Sequence, residues 1–225
     1  MALWDGIENV GYGLHDDSTA VWIDLAGGRH LTLPKSGASR IVQWLDDGLY
    51  DVGANAFNWA DFTWSDLIGP DNDKITISYV IVVHSYQPDF KRYVPFGMTG
   101  GDFGLNYGGQ PNRFYCYFPW AHGGTIFLLD PFVEVGHSLT VMADGLNGYC
   151  YASADGLPMQ SRKCGDYSAR LGTFPQLFLH TGYNPTLDNS WACTLKTIRV
   201  YRRVLSETEI AHNWNVDRER FGIGQ

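Results

Sequence analysis

The chain has 225 residues, of which 44% are hydrophobic and 18% are charged, a balance typical of a soluble globular protein. No apolar run approaches the roughly 20 residues that cross a bilayer, so membrane insertion is not expected. The 24 acidic and 16 basic residues give a formal charge of -8, which disfavours nucleic acid as a partner because such a surface repels phosphates.

Short strand patterns recur along almost the whole chain, separated by glycine-rich turns such as NYGGQPN and ADGLNG. They predict strands at 20–23, 30–33, 75–84, 113–118, 125–129, 138–143, 148–152, 176–180 and 197–201. Many short strands at this spacing favour an antiparallel β-sandwich or barrel over a parallel sheet. No repeat or linker interrupts the sequence, so we expect a single domain over residues 1–225.

The cysteines indicate packing rather than a covalent scaffold, because four of them are too few for a disulfide framework at this length. Cys116, Cys150 and Cys193 fall in strand-like runs beside aromatic residues, which favours buried thiols. A bridge from Cys150 to Cys164 across a hairpin is the alternative. The Cys and His spacing of a zinc site is absent from the sequence.

The last strand pattern leads directly into a helix signal. Ile198 and Val200 share one parity, which predicts that both point into the core. Ser206 stands three residues before Glu209, the spacing of a capping box in which each side chain bonds the other residue's backbone N–H. The helix is therefore expected to start at about residue 207.

Apolar residues on this helix indicate how it packs. Leu205 and Ile210 flank the cap as a hydrophobic staple. Ile210 and Trp214 lie four residues apart on one helix face, which predicts that this face packs on the sandwich. Gly222 is a suitable stop signal, so we predict a helix from about residue 207 to residue 218.

Both ends of the chain resemble a known family. The segment TIRVYRRVLSETEIAHNW (197–214) resembles the closing signature of laminin-G-like, concanavalin-A-like jelly-roll domains. The segment DGIENVGYGLHDDSTAVWIDLAGGRHLTL (5–33) resembles the start of the subset found in bacterial surface proteins and phage or prophage structural proteins. That subset continues with an S-G-N-G-like turn, where this chain has Ala26-Gly27-Gly28-Arg29. The resemblance implies an all-β, antiparallel sandwich of the jelly-roll type with a short C-terminal helix.

Hydrolytic chemistry has little support in the residue pattern. A glycosidase needs two facing carboxylates about 5–9 Å apart. The E-x-D-x-x-E run of jelly-roll glucanases is absent, and glutamate occurs only at positions 8, 134, 207, 209 and 219. A nucleophile elbow, an H-E-x-x-H motif and a P-loop are also missing. These observations predict a protein that is not an enzyme.

No cofactor is predicted, although a calcium ion would be compatible with the resemblance. Laminin-G-like domains sometimes hold calcium at a rim with paired aspartates and backbone oxygens. Asp71 and Asp73, or Asp16 and Asp17, would supply the carboxylates here. Each pair also suits an ordinary polar turn, which is the more frequent reason for such residues.

Aromatic residues make up 15% of the chain and concentrate in the segment Met98 to Gly124. There Tyr115 and Tyr117 share one strand face, while Phe114 and Phe118 share the other. A sugar site needs a flat ring beside fixed hydrogen-bonding groups. The candidates in this segment are Asp102, Asn106, Tyr107, Arg113, Tyr115, Trp120 and His122, and a second loop offers Tyr183, Asn184, Asp188 and Trp191. The alternative is that these rings fill the sandwich core.

Taken together, these features predict a non-catalytic recognition or adhesion module of a bacterial surface or phage particle, with a glycan as ligand. One alternative is a purely structural virion or assembly component, which would suit a homo-oligomer. The second is a divergent polysaccharide-cleaving enzyme. The start MALWDGIENV lacks the basic and apolar regions of a signal peptide. We expect an extracellular, cell-surface or virion location.

Overall fold

The computed structural model describes residues 1–5, 21–32, 42–45, 48–51, 66–67, 69, 71–84, 93–98, 104–108, 113–118, 124–129, 133–163, 177–182 and 193–224. In chain order the strands are β1 Ala2–Asp5, β2 Val21–Trp22, β3 Leu31–Thr32, β4 Val42–Leu45, β5 Gly48–Asp51, β6 Lys74–Val83, β7 Tyr93–Met98, β8 Gly104–Gly108, β9 Arg113–Phe118, β10 Gly124–Leu129, β11 Gly136–Asp144, β12 Tyr149–Ala154, β13 Gln160–Lys163, β14 Leu177–Gly182 and β15 Cys193–Tyr201. Helix α1 spans Glu207–Phe221.

Two antiparallel sheets make up most of the described structure. The larger sheet has the strand order β13-β12-β11-β6-β15-β5-β4, with β1 also paired to β15. The smaller sheet has five strands in the order β10-β9-β8-β7-β14, and β2 pairs with β3 in a separate hairpin. The sheets meet where β10 contacts β12 and β13 and where β8 contacts β11. The predicted antiparallel β-sandwich with a short C-terminal helix is confirmed.

The core follows from the alternation of residues along the central strands. In β6, the residues Ile75, Ile77 and Tyr79 share one face and are fully buried. In β15, Ile198 and Val200 share the corresponding face and are also buried, as predicted. Because the side chains of a strand alternate between faces, one apolar series per strand lines the interior. The two cysteines of the larger sheet are buried as well, at positions 150 and 193.

A β-bulge interrupts β15 at Lys196. Leu195 pairs with Ile81 of β6, whereas Thr197 pairs with Val80, so Lys196 is the extra residue. On its other edge β15 pairs with β5 before this point and with β1 after it. A bulge reverses the inward and outward alternation beyond it. This reversal explains why the sequence pattern predicts only residues 197–201 of a strand that begins at position 193.

Helix α1 begins as the sequence predicts and ends three residues later than predicted. Ser206 Oγ accepts from the Glu209 N–H at 3.3 Å, while the Glu209 carboxylate accepts from the Ser206 N–H at 2.9 Å. Gly222 ends the helix in the left-handed conformation, with φ of 61°. The helix continues to Phe221 because that side chain is buried against Val80 of β6, a tertiary contact that local sequence signals do not contain.

A buried ion pair fastens the helix to the larger sheet. The Arg199 guanidinium donates to both carboxylate oxygens of Asp217, at 3.0 and 2.5 Å, and Asp217 is fully buried. Ser138 Oγ of β11 donates to the same carboxylate at 2.8 Å. A further pair joins Arg220 to Asp5 of β1 at 3.1 Å. Arg199 therefore has a structural role in docking the helix.

The predicted packing of Ile210 and Trp214 on the sandwich is confirmed. Ile210 lies in a buried cluster with Met142 and Leu205, while Trp214 packs beside Val80. Two glycines outside the helix bracket the Trp214 indole. A Cβ at Gly156 would lie 2.9 Å from indole Cγ and Nε1, and a Cβ at Gly224 would lie 2.8 Å from Cζ2. We call this bracketed position the tryptophan slot.

The turn that contains Ala26, Gly27 and Gly28 is organised by Asp24. Its Oδ1 accepts from the backbone N–H of Leu3 at 3.0 Å and of Ala26 at 2.9 Å. Its Oδ2 accepts from the Arg29 N–H at 3.1 Å. Gly28 has φ of 70°, which a residue without Cβ adopts readily. One buried carboxylate thus closes the turn and ties it to strand β1.

Candidate ligand-binding surfaces

The predicted ligand contacts divide between described and undescribed parts of the chain. Asn106 and Tyr107 lie in β8, and Arg113 and Tyr115 lie in β9. The other predicted contacts lie outside the described residues, and these are Asp102, Trp120, His122, Tyr183, Asn184, Asp188 and Trp191. Their role as ligand contacts remains a prediction.

Strand pairing brings three of the predicted residues to one face of the smaller sheet. Asn106 is directly opposite Tyr115, and Gly108 is directly opposite Arg113. Residues directly opposite each other share a face, and so do residues two apart in one strand. Asn106, Arg113, Tyr115 and Tyr117 therefore share one face, which we call the tyrosine face. On the neighbouring strand β10, Thr125 opposite Tyr117 belongs to the same face.

Tyr107 belongs to the other face of the same sheet. It is opposite Phe114, and the next residue of that face, Cys116, is opposite Ile126 of β10. Ile126 is buried, and β10 contacts strands β12 and β13 of the larger sheet. The register therefore assigns Tyr107 to the face that carries core residues and separates it from Asn106 and Tyr115.

A pair of tyrosines on the larger sheet was not singled out by the sequence analysis. Tyr149 and Tyr151 of β12 are stacked, with ring centroids 6.1 Å apart and planes inclined by 20°. Tyr149 is 38% exposed, whereas Tyr151 is half-buried and packs against the cluster of Met142, Leu205 and Ile210. The signal in the sequence is GYCYA, in which two tyrosines at strand spacing must share a face.

Charged groups lie directly beside this pair. Asp144 of β11 is directly opposite Tyr149 of β12, and it accepts from Lys74 Nζ at 3.1 Å and from Asn147 Nδ2 at 2.7 Å. Burial alone would raise the pKa of Asp144, but the hydrogen bonds from Asn147 and Lys74 together lower it below its ordinary value. Burial, followed by the nearby Asp144 charge, raises the pKa of Tyr151. The carboxylate is therefore ionised and the tyrosine neutral at pH 7.

A carboxylate, an imidazole and a hydroxyl form one row that resembles a catalytic arrangement. Glu134 contacts His84 Nδ1 at 2.7 Å, and His84 Nε2 contacts Thr194 Oγ1 at 2.8 Å. An attacking hydroxyl must reach the substrate. Thr194 is only 2% exposed within β15, so its hydroxyl is not placed to act as a nucleophile. The row instead joins the ends of β6 and β15 to the turn before β11.

Within the described part of the chain, no group of three or more His, Cys, Asp or Glu side chains is arranged to hold a metal ion. Asp71 is exposed and Asp73 is half-buried, and neither belongs to such a group. Asp16 and Asp17 lie outside the described residues. The described helices include none with the length and apolar character of a membrane span.

Comparison with solved structures identifies similar folds. Trypanosoma rangeli sialidase in complex with 2,3-difluoro-KDN has a TM-score of 0.66 at 13% identity, covering 97% of this chain and 32% of the sialidase. Its complex with 2,3-difluorosialic acid has a TM-score of 0.67 at 12% identity, covering 95% and 32%. The binding domain of botulinum neurotoxin serotype D has a TM-score of 0.62 at 10% identity, covering 96% and 51%.

These similarities concern the fold. No family model matches the sequence, and neither does any curated protein. The chain spans about a third of the length of the sialidases and about half of the toxin domain. The shared architecture is a β-sandwich that occurs both within enzymes and in a binding domain, and it is compatible with a lectin-like jelly roll.

Proposed function

We propose that the chain is a non-catalytic recognition module that binds a glycan through the tyrosine face of its smaller sheet. The observation that carries the proposal is the register that gathers Asn106, Arg113, Tyr115 and Tyr117 on one face. Sugars offer apolar C–H faces to aromatic rings and hydroxyls to amide and guanidinium groups. A sheet face with both kinds of residue suits such a ligand.

The similarity to a toxin binding domain supports a recognition role, since its sandwich fold is shared over 96% of this chain. The resemblance of both chain ends to laminin-G-like domains of bacterial surfaces and phage particles supports an adhesion module of that subset. We propose that the partner is a glycan on a host or bacterial surface, and that the chain acts at a cell surface or on a virion.

The sialidase neighbours make enzymatic cleavage the main competing function. Cleavage has less support. Among the described residues, Glu134, His84 and Thr194 are hydrogen-bonded in series, but the Thr194 hydroxyl is buried. The purified chain should therefore release no sugar from sialosides, β-glucans or alginate. Product above the level of a heat-inactivated sample would favour the enzyme and contradict our proposal.

A glycan array probed with the purified chain tests the binding function directly. Binding should weaken at least about fivefold in Tyr115→Ala and Asn106→Ala, as central contacts often cost about 1 kcal/mol or more. Tyr107→Ala is the matched control, because the register assigns Tyr107 to the core-bearing face. It should lower thermal stability and leave the affinity of the folded fraction unchanged. If the wild-type chain binds no glycan, the proposed function is wrong.

A further inference from the structure

The larger sheet carries a row of residues that the proposed function does not use. Lys74 of β6, Asp144 of β11, Tyr149 of β12 and Lys163 of β13 are directly opposite one another in turn. Four adjacent strands therefore contribute one straight row, about 14 Å long at the usual strand spacing of about 4.8 Å. We call it the outer row, because it lies on the sheet face that helix α1 covers elsewhere.

The aromatic part of the outer row is fixed in position. Tyr151 packs on the cluster formed by Met142, Leu205 and Ile210, and Tyr149 stacks on Tyr151. The exposed ring is thus held by a half-buried one instead of turning freely. A ring held in place loses little conformational entropy when a ligand stacks on it.

Hydrogen-bonding groups next to the ring are held in place as well. Asp144 is bonded both by Lys74 Nζ and by the backbone and side chain of Asn147. An ammonium group has three N–H donors, so Lys74, whose side chain is 35% exposed, has donors beyond the one given to Asp144. Asn147 is exposed, and its side-chain oxygen is an acceptor. Donors and an acceptor therefore lie beside the ring.

The apolar part of this surface is too small for a protein interface. Among the described residues, its exposed apolar side chains are Tyr149 and, in the adjoining turn, Leu146 at 64% exposure. A standard protein interface buries about 800 Å² on each partner, far more than two partly exposed side chains provide. A sugar ring, by contrast, needs one aromatic face and a few polar groups.

We propose that the outer row, together with Leu146 and Asn147, is a second glycan-binding site, which takes an oligosaccharide across the strands with one sugar ring stacked on Tyr149. The proposal rests on the proposed function, because it deepens the glycan-binding role by adding a site on the other sheet. Lys74 and Asn147 hydrogen-bond the hydroxyl groups of the bound sugar. Because the two sites lie on different sheets, the chain offers two separate positions for a glycan.

The test uses the same glycan array with the full chain and variants of each sheet. Tyr149→Ala and Leu146→Ala should each lower the apparent affinity about fivefold or more for at least one glycan. Leu157→Ala is the matched control, because Leu157 is a turn leucine with similar exposure of 58%. It should leave binding unchanged. Leu146→Ala removes only an exposed side chain, so it keeps the test valid if Tyr149→Ala reduces folding.

The possible outcomes separate this inference from the proposed function. If Tyr115→Ala weakens binding while Tyr149→Ala and Leu146→Ala bind every glycan as the wild type does, the second site is wrong and the proposed function stands. If the wild-type chain binds no glycan, both are wrong. Loss of binding in Tyr149→Ala and Leu146→Ala, with Leu157→Ala unaffected, supports the second site.

Discussion

The packing of the Trp214 indole against Gly156 predicts that Gly156→Ala destabilises the fold in two ways. Gly156 has φ of 71°, and the left-handed conformation costs a residue with Cβ about 1–2 kcal/mol. The new Cβ would also lie 2.9 Å from two atoms of the Trp214 indole, closer than packed atoms approach. Forcing extra volume into a packed site costs typically 1–3 kcal/mol. Gly156→Ala should therefore cost about 2–5 kcal/mol.

Gly28→Ala separates the two contributions. Gly28 has nearly the same φ of 70°, but a Cβ there would meet nothing within 4 Å. It should therefore show only the backbone cost of about 1–2 kcal/mol. Urea unfolding, followed by tryptophan fluorescence and by circular dichroism, measures both variants. Equal losses of stability in Gly156→Ala and Gly28→Ala would refute the reasoning, because they would mean that the indole does not occupy the slot.

The remaining predictions concern the docking of helix α1. Ser206→Ala should cost about 1 kcal/mol in urea unfolding, because the Glu209 N–H loses its acceptor, and an unchanged midpoint would contradict the cap. The Arg203 guanidinium and then Ser206 lower the pKa of Glu209 from 4.5 to about 2. Since the folded pKa is the lower one, the stabilisation by Glu209 is complete above about pH 4.5 and is lost as the pH falls through 2. The difference in unfolding midpoint between wild type and Glu209→Gln should shrink over that window, and a constant difference would argue against the ion pair of Glu209 with Arg203. Asp217→Asn should cost about 3–5 kcal/mol, because it leaves Arg199 buried without its counter-ion. The double variant Arg199→Met with Asp217→Leu should recover most of this loss. If it is as unstable as Asp217→Asn, the loss of stability does not come from a buried charge without its counter-ion.

Local signals in the sequence predict local structure well. The capping box at Ser206 and the stop at Gly222 depend on residues a few positions apart, so the chain alone determines them. The last turn before that stop, up to Phe221, also depends on a contact with Val80 of a distant strand, and local periodicity contains no such information. The same holds for Asp217, whose burial in a polar-looking helix is explained only by its pairing with Arg199.

The candidate site was partly predictable for a similar reason. Strand alternation correctly groups Tyr115 with Tyr117, but which residues of β8 share their face depends on the pairing register. That register separates Tyr107 from Asn106. The Tyr149 and Tyr151 pair was visible as a motif in GYCYA. Its exposure could not be predicted, because it depends on how much of this sheet face helix α1 covers, and the helix cluster reaches Tyr151 only.

The pairing of β1 with β15 has a mechanical consequence. Ala2 is opposite Val200, and Asp5 is opposite Thr197, so the start of the first strand lies beside the end of the last. A pulling force applied at Met1 and at the chain beyond Tyr201 would load the same end of this ladder. Its hydrogen bonds would then break one after another, beginning at Ala2, instead of resisting together. Under tension along the chain, β1 should peel away at low force before the central strands yield.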